Sequence, residues 1–130
     1  MKVRGLNHIT LATRDLQRAI PFYRDTLGLV LAHEWPQGAY FTAGDLWFCL
    51  SLEEGAQPSD SYTHFAFDVA PSDFDALSQN VTNSGVKIWK ENRSEGASLY
   101  FCDPDGNRLE LHVGSLNTRL DAMKKELAPC

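Results

Sequence analysis

Cysteine is scarce in this chain and basic residues are in the minority, and each shortage excludes a class of protein. Cys49, Cys102 and Cys130 are far apart and form no CxxC pair, which argues against a disulfide framework and a thiolate zinc site. They are expected to be small buried or incidental residues. The 12 Lys and Arg are outnumbered by 17 Asp and Glu, for a net charge of -5. No nucleic-acid surface is therefore expected, and an anionic ligand would need a locally built cationic pocket.

Long apolar runs are also missing. No stretch approaches the roughly 18 to 20 consecutive apolar residues of a membrane span, and residues 1–12 lack the apolar segment of a signal peptide. We therefore expect a cytoplasmic protein with no membrane partner. Apolar residues make up 43% of the 130 positions, enough to form the core of one compact domain.

The first part of the chain, about residues 5–52, has the pattern of a βαβββ module. An alternating strand at 6–12 precedes a helix with Asp15 as its N-cap and Gly28 as its stop. Extended structure resumes at 29–32. The apolar and aromatic segments 38–43 and 46–52 then predict a hairpin.

The second part, about residues 62–114, repeats this order. A strand at 62–69 precedes a helix that begins at Ser72 or Asp73 and ends at Asn83. Strands at 98–102 and 108–113 enclose an Asp-Pro-Asp-Gly-Asn turn, and a tail at 115–130 is predicted helical from 115 to 127. The fold class is therefore α+β, a single domain of paired βαβββ modules. Exposed sheet edges predict pairing of modules within one chain or between two.

Histidines occupy equivalent strand positions in the two copies, His8 in GLNHITLA and His64 in SYTHFAFD. Association of duplicated modules about a pseudo-twofold axis would let one metal ion bridge them. A third ligand should come from the last strand, where spacing alone does not choose between Glu110 and His112. Two imidazoles and one carboxylate suit a first-row divalent ion and leave positions open for substrate. His33 has no such partner and is expected at the surface.

A short segment at 90–98 concentrates cations, hydroxyls and a glycine. It could be an ordinary solvated loop, or it could bind a phosphate or phosphonate. The donors for an anion would be Lys90, Arg93, Ser94 and Ser98, with Arg119 from the tail as a further cation. Aromatic residues that either belong to the core or wall such a pocket are Trp35, Tyr40 and Trp47.

With these motifs in view, the sequence resembles the vicinal oxygen chelate superfamily. It is most similar to the manganese-dependent glutathione transferases that inactivate the antibiotic fosfomycin. The resemblance covers about residues 5–120 and rests on GLNHITLA, QGAYF, LWFCLS, YTHFAF and, most specifically, WKENRSEGASLYFCDPDGNRLELHVG. It implies a vicinal oxygen chelate fold in a domain-swapped homodimer, with fosfomycin and glutathione as substrates.

The resemblance also implies roles for individual residues. His8, His64 and Glu110 would bind Mn²⁺, with His8 from one chain and the other two ligands from its mate. Catalytic roles fall to Thr10 and Tyr40, the latter as partner of the thiol. The phosphonate pocket would contain Thr10, Lys90, Ser94, Ser98, Tyr100 and Arg119. A K⁺ site would contain Asn92, Ser94, Gly96 and Ser98. The glutathione channel would contain Trp35, Gln37, Tyr40, Trp47, Ser51 and Arg93.

Several other functions compete with this one. A lactoylglutathione isomerase would bring a second carboxylate from the strand at 46–51, which contains no acid. An extradiol dioxygenase shares the ligand set, but ring cleavage needs no cationic loop. A thiol transferase that uses bacillithiol or cysteine could share the metal and phosphonate groups. A metal-free drug-sequestering protein of this fold would lack the ligands, and a purely structural module would need none of them.

Overall fold

The structure, a computed structural model, describes residues 1–127, so Cys130 lies outside the described residues. The strands are β1 (His8–Thr13), β2 (Val30–Trp35), β3 (Gly38–Ala43), β4 (Leu46–Leu52), β5 (Phe65–Asp68), β6 (Ile88–Lys90), β7 (Ser98–Cys102) and β8 (Arg108–His112). The helices within that range are α1 (Leu16–Pro21), α2 (Phe74–Asn83) and α3 (Leu116–Leu127), with a π-helical turn at Phe22–Thr26. Two four-stranded sheets have the orders β1-β4-β3-β2 and β5-β8-β7-β6. The predicted pair of βαβββ modules is confirmed.

The chain divides into two compact units. Among the described residues, the first contains Met1–Ser59 and Asp103–Asn107, and the second contains Asp60–Cys102 and residues 108–127. The turn between β7 and β8 thus belongs to the first unit. Its Asp103 carboxylate accepts a hydrogen bond from the Tyr23 hydroxyl at 2.6 Å, which joins the turn to the buried face that follows α1.

In the first unit, β1 alternates as expected, with Ile9 and Leu11 buried and His8 and Thr10 exposed. The side chain of Asp15 caps α1 by accepting from the N–H groups of Gln17 and Arg18, which confirms that prediction. Since Pro21 has no N–H, the helix changes there to a π-helical turn. Strands β3 and β4 have the predicted bounds, and the first core is built on Tyr23, Phe41 and Phe48.

In the second unit, β5 is shorter than the predicted strand at 62–69, and His64 lies just before it. Side chains form hydrogen bonds with backbone carbonyls that would pair with a neighbouring strand if β5 were longer. The Arg108 guanidinium donates to the carbonyl of Ser61 at 2.5 Å, and Nδ1 of His64 bonds to the carbonyl of Tyr62 at 2.9 Å. The buried residues of this unit include Val81, Phe101, Leu109 and Leu111.

Cys49 and Cys102 are buried, as predicted. Among the described residues, no helix has the length and apolarity needed to span a membrane.

Candidate metal and anion site

Strand register places the predicted site residues that lie on β6, β7 and β8 on one face of the sheet of the second unit. Glu110 on β8 pairs with Tyr100 on β7, which pairs with Lys90 on β6. His112 pairs with Ser98 two residues further along the same strands. Paired residues, and alternate residues on one strand, point to the same side of a sheet. A carboxylate, a cation, a phenol and an imidazole therefore share this face.

Two of the three predicted metal ligands are in contact. Nε2 of His64 lies 3.0 Å from Oε1 of Glu110, and Glu110 is only 6% exposed. Nδ1 of His64 lies 2.9 Å from the carbonyl oxygen of Tyr62. Because a carbonyl oxygen only accepts, Nδ1 carries the proton and Nε2 is left with a lone pair in the neutral ring.

The chemistry of this pair fits a metal ion. A lone pair on Nε2 and a carboxylate oxygen at 3.0 Å attract each other only if a proton or a cation lies between them. A metal-ligating histidine usually donates its other N–H to a backbone carbonyl or carboxylate, as His64 does to Tyr62. Within residues 1–127, no group of three or more His, Cys, Asp or Glu side chains could hold a metal ion.

The other carboxylate oxygen of Glu110 is bound within the protein. The Ser98 hydroxyl lies 2.7 Å from Oε2 of Glu110 and 2.6 Å from Nδ1 of His112. Of the two candidates on β8, Glu110 therefore contacts His64, whereas His112 contacts Ser98 and, at 3.3 Å, Oε2 of Glu110.

Lys90 is held by aromatic residues rather than by an acid. Its ammonium group donates to the Tyr62 hydroxyl at 2.5 Å and lies 4.8 and 4.7 Å from the ring centroids of Tyr62 and Tyr100. The hydrogen bond to Tyr62 raises the pKa of Lys90 above its usual value, so the side chain remains cationic at neutral pH. A cation held against aromatic faces keeps its charge available for an anion.

The loop after β6 is closed by Asn92. Its amide donates to the Gly96 carbonyl at 3.0 Å, and its side-chain oxygen accepts from the N–H and hydroxyl of Ser94. Arg119 on α3 reaches this loop, with Nη2 3.2 Å from the Ser94 hydroxyl and Nε 3.2 Å from Oε1 of Glu95. The structure thus brings Arg119 to the predicted cationic loop, where Glu95 partly balances its charge.

In the first unit, the predicted residues also share one face. The ring centroid of His8 lies 4.3 Å from that of Trp47, with the rings tilted by 36°. The Trp47 and Tyr40 centroids are 5.3 Å apart, and those of Tyr40 and Trp35 are 4.8 Å apart. Trp35 and Trp47 are 36% and 38% exposed, so they wall a surface instead of filling the core. His33 is exposed, as predicted, and stacks on Trp35.

The remaining predicted glutathione residues are distributed over both units. Ser51 pairs with Gly38 on the neighbouring strand, and a Cβ at Gly38 would lie 2.8 Å from the Trp35 ring. The backbone carbonyl of Gln37 accepts from the N–H of Leu52. Arg93 belongs to the second unit and has an 85% exposed side chain, with Glu91 4.0 Å away.

Sequence reasoning missed several residues that contact the predicted ones. Tyr62 precedes His64 by two positions, and this alternation could have revealed that the two residues share a face. The side-chain oxygen of Asn7 accepts a hydrogen bond from Nδ1 of His8 at 2.7 Å, so this bond does not involve Nε2 of the ring. Trp89 packs 5.4 Å from His64 and donates to the carbonyl of Leu109. The bond from Trp89 to Leu109 joins residues 20 positions apart, so no local pattern in the sequence could reveal it.

Comparison with known proteins gives a consistent result. A family model described as the Glyoxalase/Bleomycin resistance protein/Dioxygenase superfamily matches residues 5–111. The chain is 55% identical to glutathione transferase FosA of Serratia marcescens over 95% of this chain and 91% of the relative. It is 38% identical to metallothiol transferase FosB of Staphylococcus epidermidis over 95% of this chain and 93% of that protein.

A solved structure shows the same fold. The fosfomycin resistance protein FosX of Listeria monocytogenes, crystallised with Mn(II) and a sulfate ion, superposes with a TM-score of 0.81 and 28% identity. The match covers 94% of this chain and 99% of that one. The chain therefore belongs to the Glyoxalase/Bleomycin resistance protein/Dioxygenase superfamily and, within it, to the fosfomycin-resistance glutathione transferases.

Proposed function

We propose that this protein inactivates fosfomycin by adding the thiolate of glutathione to the epoxide. One observation supports this most directly. The second unit presents the His64–Glu110 pair and the cations Lys90 and Arg119, in a chain 55% identical to a glutathione transferase FosA. A sulfur–carbon bond forms as a carbon–oxygen bond of the epoxide breaks, and the released oxygen takes a proton.

His64, Glu110 and His8 would hold the divalent ion, which we propose to be Mn²⁺. When bound, the ion would act as a Lewis acid on the epoxide oxygen and stabilise the charge that develops there. The Ser98 hydroxyl holds Oε2 of Glu110, so the carboxylate that would bind the ion is oriented before substrate arrives. Thr10 would donate a hydrogen bond to the developing oxyanion.

The phosphonate would be bound by cations and hydroxyls of the second unit. The ammonium group of Lys90 donates to the Tyr62 hydroxyl and not to a carboxylate, and Arg119 lies beside the Ser94 hydroxyl. Tyr100 supports Lys90 through its ring, and Ser98 would line the pocket while its hydroxyl proton stays on Glu110. Fixing the phosphonate would orient the epoxide for attack, which supplies much of the rate in a two-substrate reaction.

The thiol would approach along the aromatic face of the first unit. Trp35, Tyr40 and Trp47 form a continuous row that ends at His8. A free thiol has a pKa near 8.5, so a hydrogen bond from the Tyr40 hydroxyl would stabilise the reactive thiolate. Glutathione would also contact Gln37, Ser51 and the exposed guanidinium of Arg93.

The loop closed by Asn92 offers neutral oxygens that suit K⁺. The oxygen atoms of the Gly96 carbonyl and of the Ser94 and Ser98 hydroxyls are ligands of the type that bind this ion. We propose that K⁺ binds here, orders the loop and offsets part of the phosphonate charge.

We further propose a domain-swapped homodimer in which the site is completed by His8 of the partner subunit. Such an exchange of equivalent elements creates two identical sites per dimer. The cytoplasm, where reduced glutathione is abundant, is the proposed location.

The test is product formation by mass spectrometry. Chelator-stripped protein is incubated with fosfomycin and glutathione, with and without Mn²⁺, in potassium and in sodium buffer. We expect a metal-dependent glutathione adduct that potassium enhances. A product heavier by one water, or stoichiometric drug binding without chemistry, would contradict the proposal.

A second thiol is a specific alternative because the chain is also 38% identical to a metallothiol transferase FosB. Cysteine and bacillithiol therefore compete with glutathione in the same assay. Preference for either one, measured as kcat/KM, would assign that thiol instead of glutathione.

A further inference from the structure

His112 is the histidine on β8 for which the proposed reaction has no use. Its Nδ1 lies 2.6 Å from the Ser98 hydroxyl, and that hydroxyl lies 2.7 Å from Oε2 of Glu110. The three side chains form a short hydrogen-bonded chain behind the carboxylate oxygen that faces away from His64. Glu110 is 6% exposed, so the protein and not bulk water determines which way its carboxylate points.

The direction of each hydrogen bond follows from the donors available. A carboxylate only accepts, so the Ser98 hydroxyl donates its single proton to Oε2 of Glu110. The Ser98 oxygen must then accept from His112, which places a proton on Nδ1 of that ring. His112 therefore orients Ser98, and Ser98 orients Glu110. Hydrogen bonds in such a chain polarise and strengthen one another.

The backbone around His112 is shaped to admit the ring. A Cβ at Gly96 would lie 3.2 Å from Cε1 of His112 and 2.5 Å from the carbonyl oxygen of Val113. A Cβ at Gly114 would lie 2.8 Å from Nε2 of His112. Both glycines have positive φ angles, 77° and 146°, which other residues rarely adopt. The imidazole is thus held in a slot between two glycines.

We infer that His112 is a positioning residue that, through the Ser98 hydroxyl, fixes the orientation of Glu110 for metal binding. The inference rests on the proposed function, because it takes Glu110 as a metal ligand. Without the Nδ1–H donor, the Ser98 hydroxyl is free to rotate and Glu110 loses its oriented partner. Loss of a partner that orients a metal ligand typically lowers metal affinity about 10- to 100-fold.

Two amide substitutions distinguish the loss of the hydrogen-bond donor from the loss of the imidazole ring. In His112→Asn the amide nitrogen is two bonds from Cβ, as Nδ1 is, so it can still donate to Ser98. In His112→Gln the amide nitrogen is one bond further out, at the place of Nε2, and the donor to Ser98 is lost. His33→Gln is the matched control, since His33 is exposed and lies on β2, which belongs to the sheet of the first unit and pairs with β3.

The measurement is Mn²⁺ binding to the metal-free protein by isothermal titration calorimetry, in sodium buffer so that the potassium loop does not contribute. We expect His112→Gln to bind Mn²⁺ about 10- to 100-fold more weakly, with His112→Asn and His33→Gln close to wild type. Ser98→Ala should weaken binding as well, and Ser98→Ala with His112→Gln should be no weaker than the worse single variant, because both break one chain.

Wild-type affinity in His112→Gln, or an equal loss in His112→Asn, would overturn the inference. Circular dichroism checks folding, and if His112→Gln does not fold, the comparison of Ser98→Ala with His112→Asn decides. Adduct formation by wild-type protein is measured in parallel. A wild type that binds Mn²⁺ but forms no adduct contradicts the proposed function alone, whereas an active wild type with an unaffected His112→Gln contradicts only the role of His112.

Discussion

One row of paired residues crosses the sheet at the same register in each unit. In the first unit the row contains Thr10, Cys49, Tyr40 and His33, and in the second it contains Ala66, Glu110, Tyr100 and Lys90. Both rows keep a tyrosine in the third place. The backbone repeat thus sets where the side chains lie. Three of the four places differ, and the residues in the second and fourth places set what each face does.

The replaced positions separate two kinds of chemistry. Where the second unit has Glu110 and Lys90, the first has the buried Cys49 and the exposed His33. The first face becomes an aromatic wall, and the second has a carboxylate and a cation. Strand β4 has no acid, so the second carboxylate expected of a lactoylglutathione isomerase is missing from it.

The largest effect should come from removing the carboxylate of the second row. Glu110→Ala, like His64→Ala, should abolish Mn²⁺-dependent adduct formation, a loss in kcat/KM of more than about 100-fold, while the protein stays folded. The matched substitution in the first row is Cys49→Ala, which should retain activity. Steady-state kinetics and circular dichroism measure the two outcomes. Full activity in Glu110→Ala would remove the distinction between the rows.

The cation of the second row should matter less. Lys90→Ala should raise the KM for fosfomycin about tenfold, because one charged donor to the phosphonate is lost. His33→Ala, at the equivalent place in the first row, should leave that KM unchanged. Equal effects of the two variants would mean that the cation in this row does not set the affinity for the drug.

The turn between β7 and β8 sharpens the comparison, because the first unit incorporates it. Asp105 accepts from the N–H of Arg14 at 2.9 Å and from Arg18 at 3.0 Å. Asp105→Asn should lower the free energy of unfolding by about 2 kcal/mol at pH 7, typical of hydrogen bonds to a charged group. Denaturant titration of wild type and variant checks this.

The loss in Asp105→Asn should shrink in acid. Burial by itself would raise the pKa of Asp105, but the bonds from Thr13, Arg14 and Arg18 together lower it below 3.8. A lowered folded-state pKa gives stability that is present above 3.8 and lost as the pH falls through the folded value. A loss that stays constant down to pH 2 would contradict this assignment.

Asp103 in the same turn should show the opposite pH trend, with a smaller change. Burial raises its pKa above 3.8, although Tyr23 and Asn107 donate to the carboxylate. Its contribution to stability is therefore fully present below 3.8 and is lost as the pH rises through the folded value. Asp103→Asn should cost about 1 kcal/mol, and more at pH 3 than at pH 7. A larger loss of stability at pH 7 than at pH 3 would contradict the conclusion that burial raises the pKa of Asp103.

Much of the fold could be predicted because it follows from local patterns. The alternation in β1, the Asp15 cap and the bounds of β3 and β4 each depend on residues close together in sequence. The shortened β5 could not be predicted, because Arg108 and His64 compete for backbone carbonyls that only the folded chain brings near them. The bond from Tyr23 to Asp103 likewise joins residues 80 positions apart.

The candidate site was predictable in its residues and less so in its contacts. The repeated histidines and the last strand predicted His8, His64 and a choice of Glu110 or His112 as metal ligands. Spacing could not show that Ser98 bridges Glu110 and His112, because that contact depends on the pairing register of β7 and β8.

The most direct test of the account asks whether each site combines His8 of one chain with His64 and Glu110 of the other. His8→Ala and Glu110→Ala chains with different tags are co-expressed, and the mixed dimer is isolated by both tags. Each parent should be inactive, and the mixed dimer should have about half of wild-type activity, since one of its two sites is intact. An inactive mixed dimer would contradict the shared site.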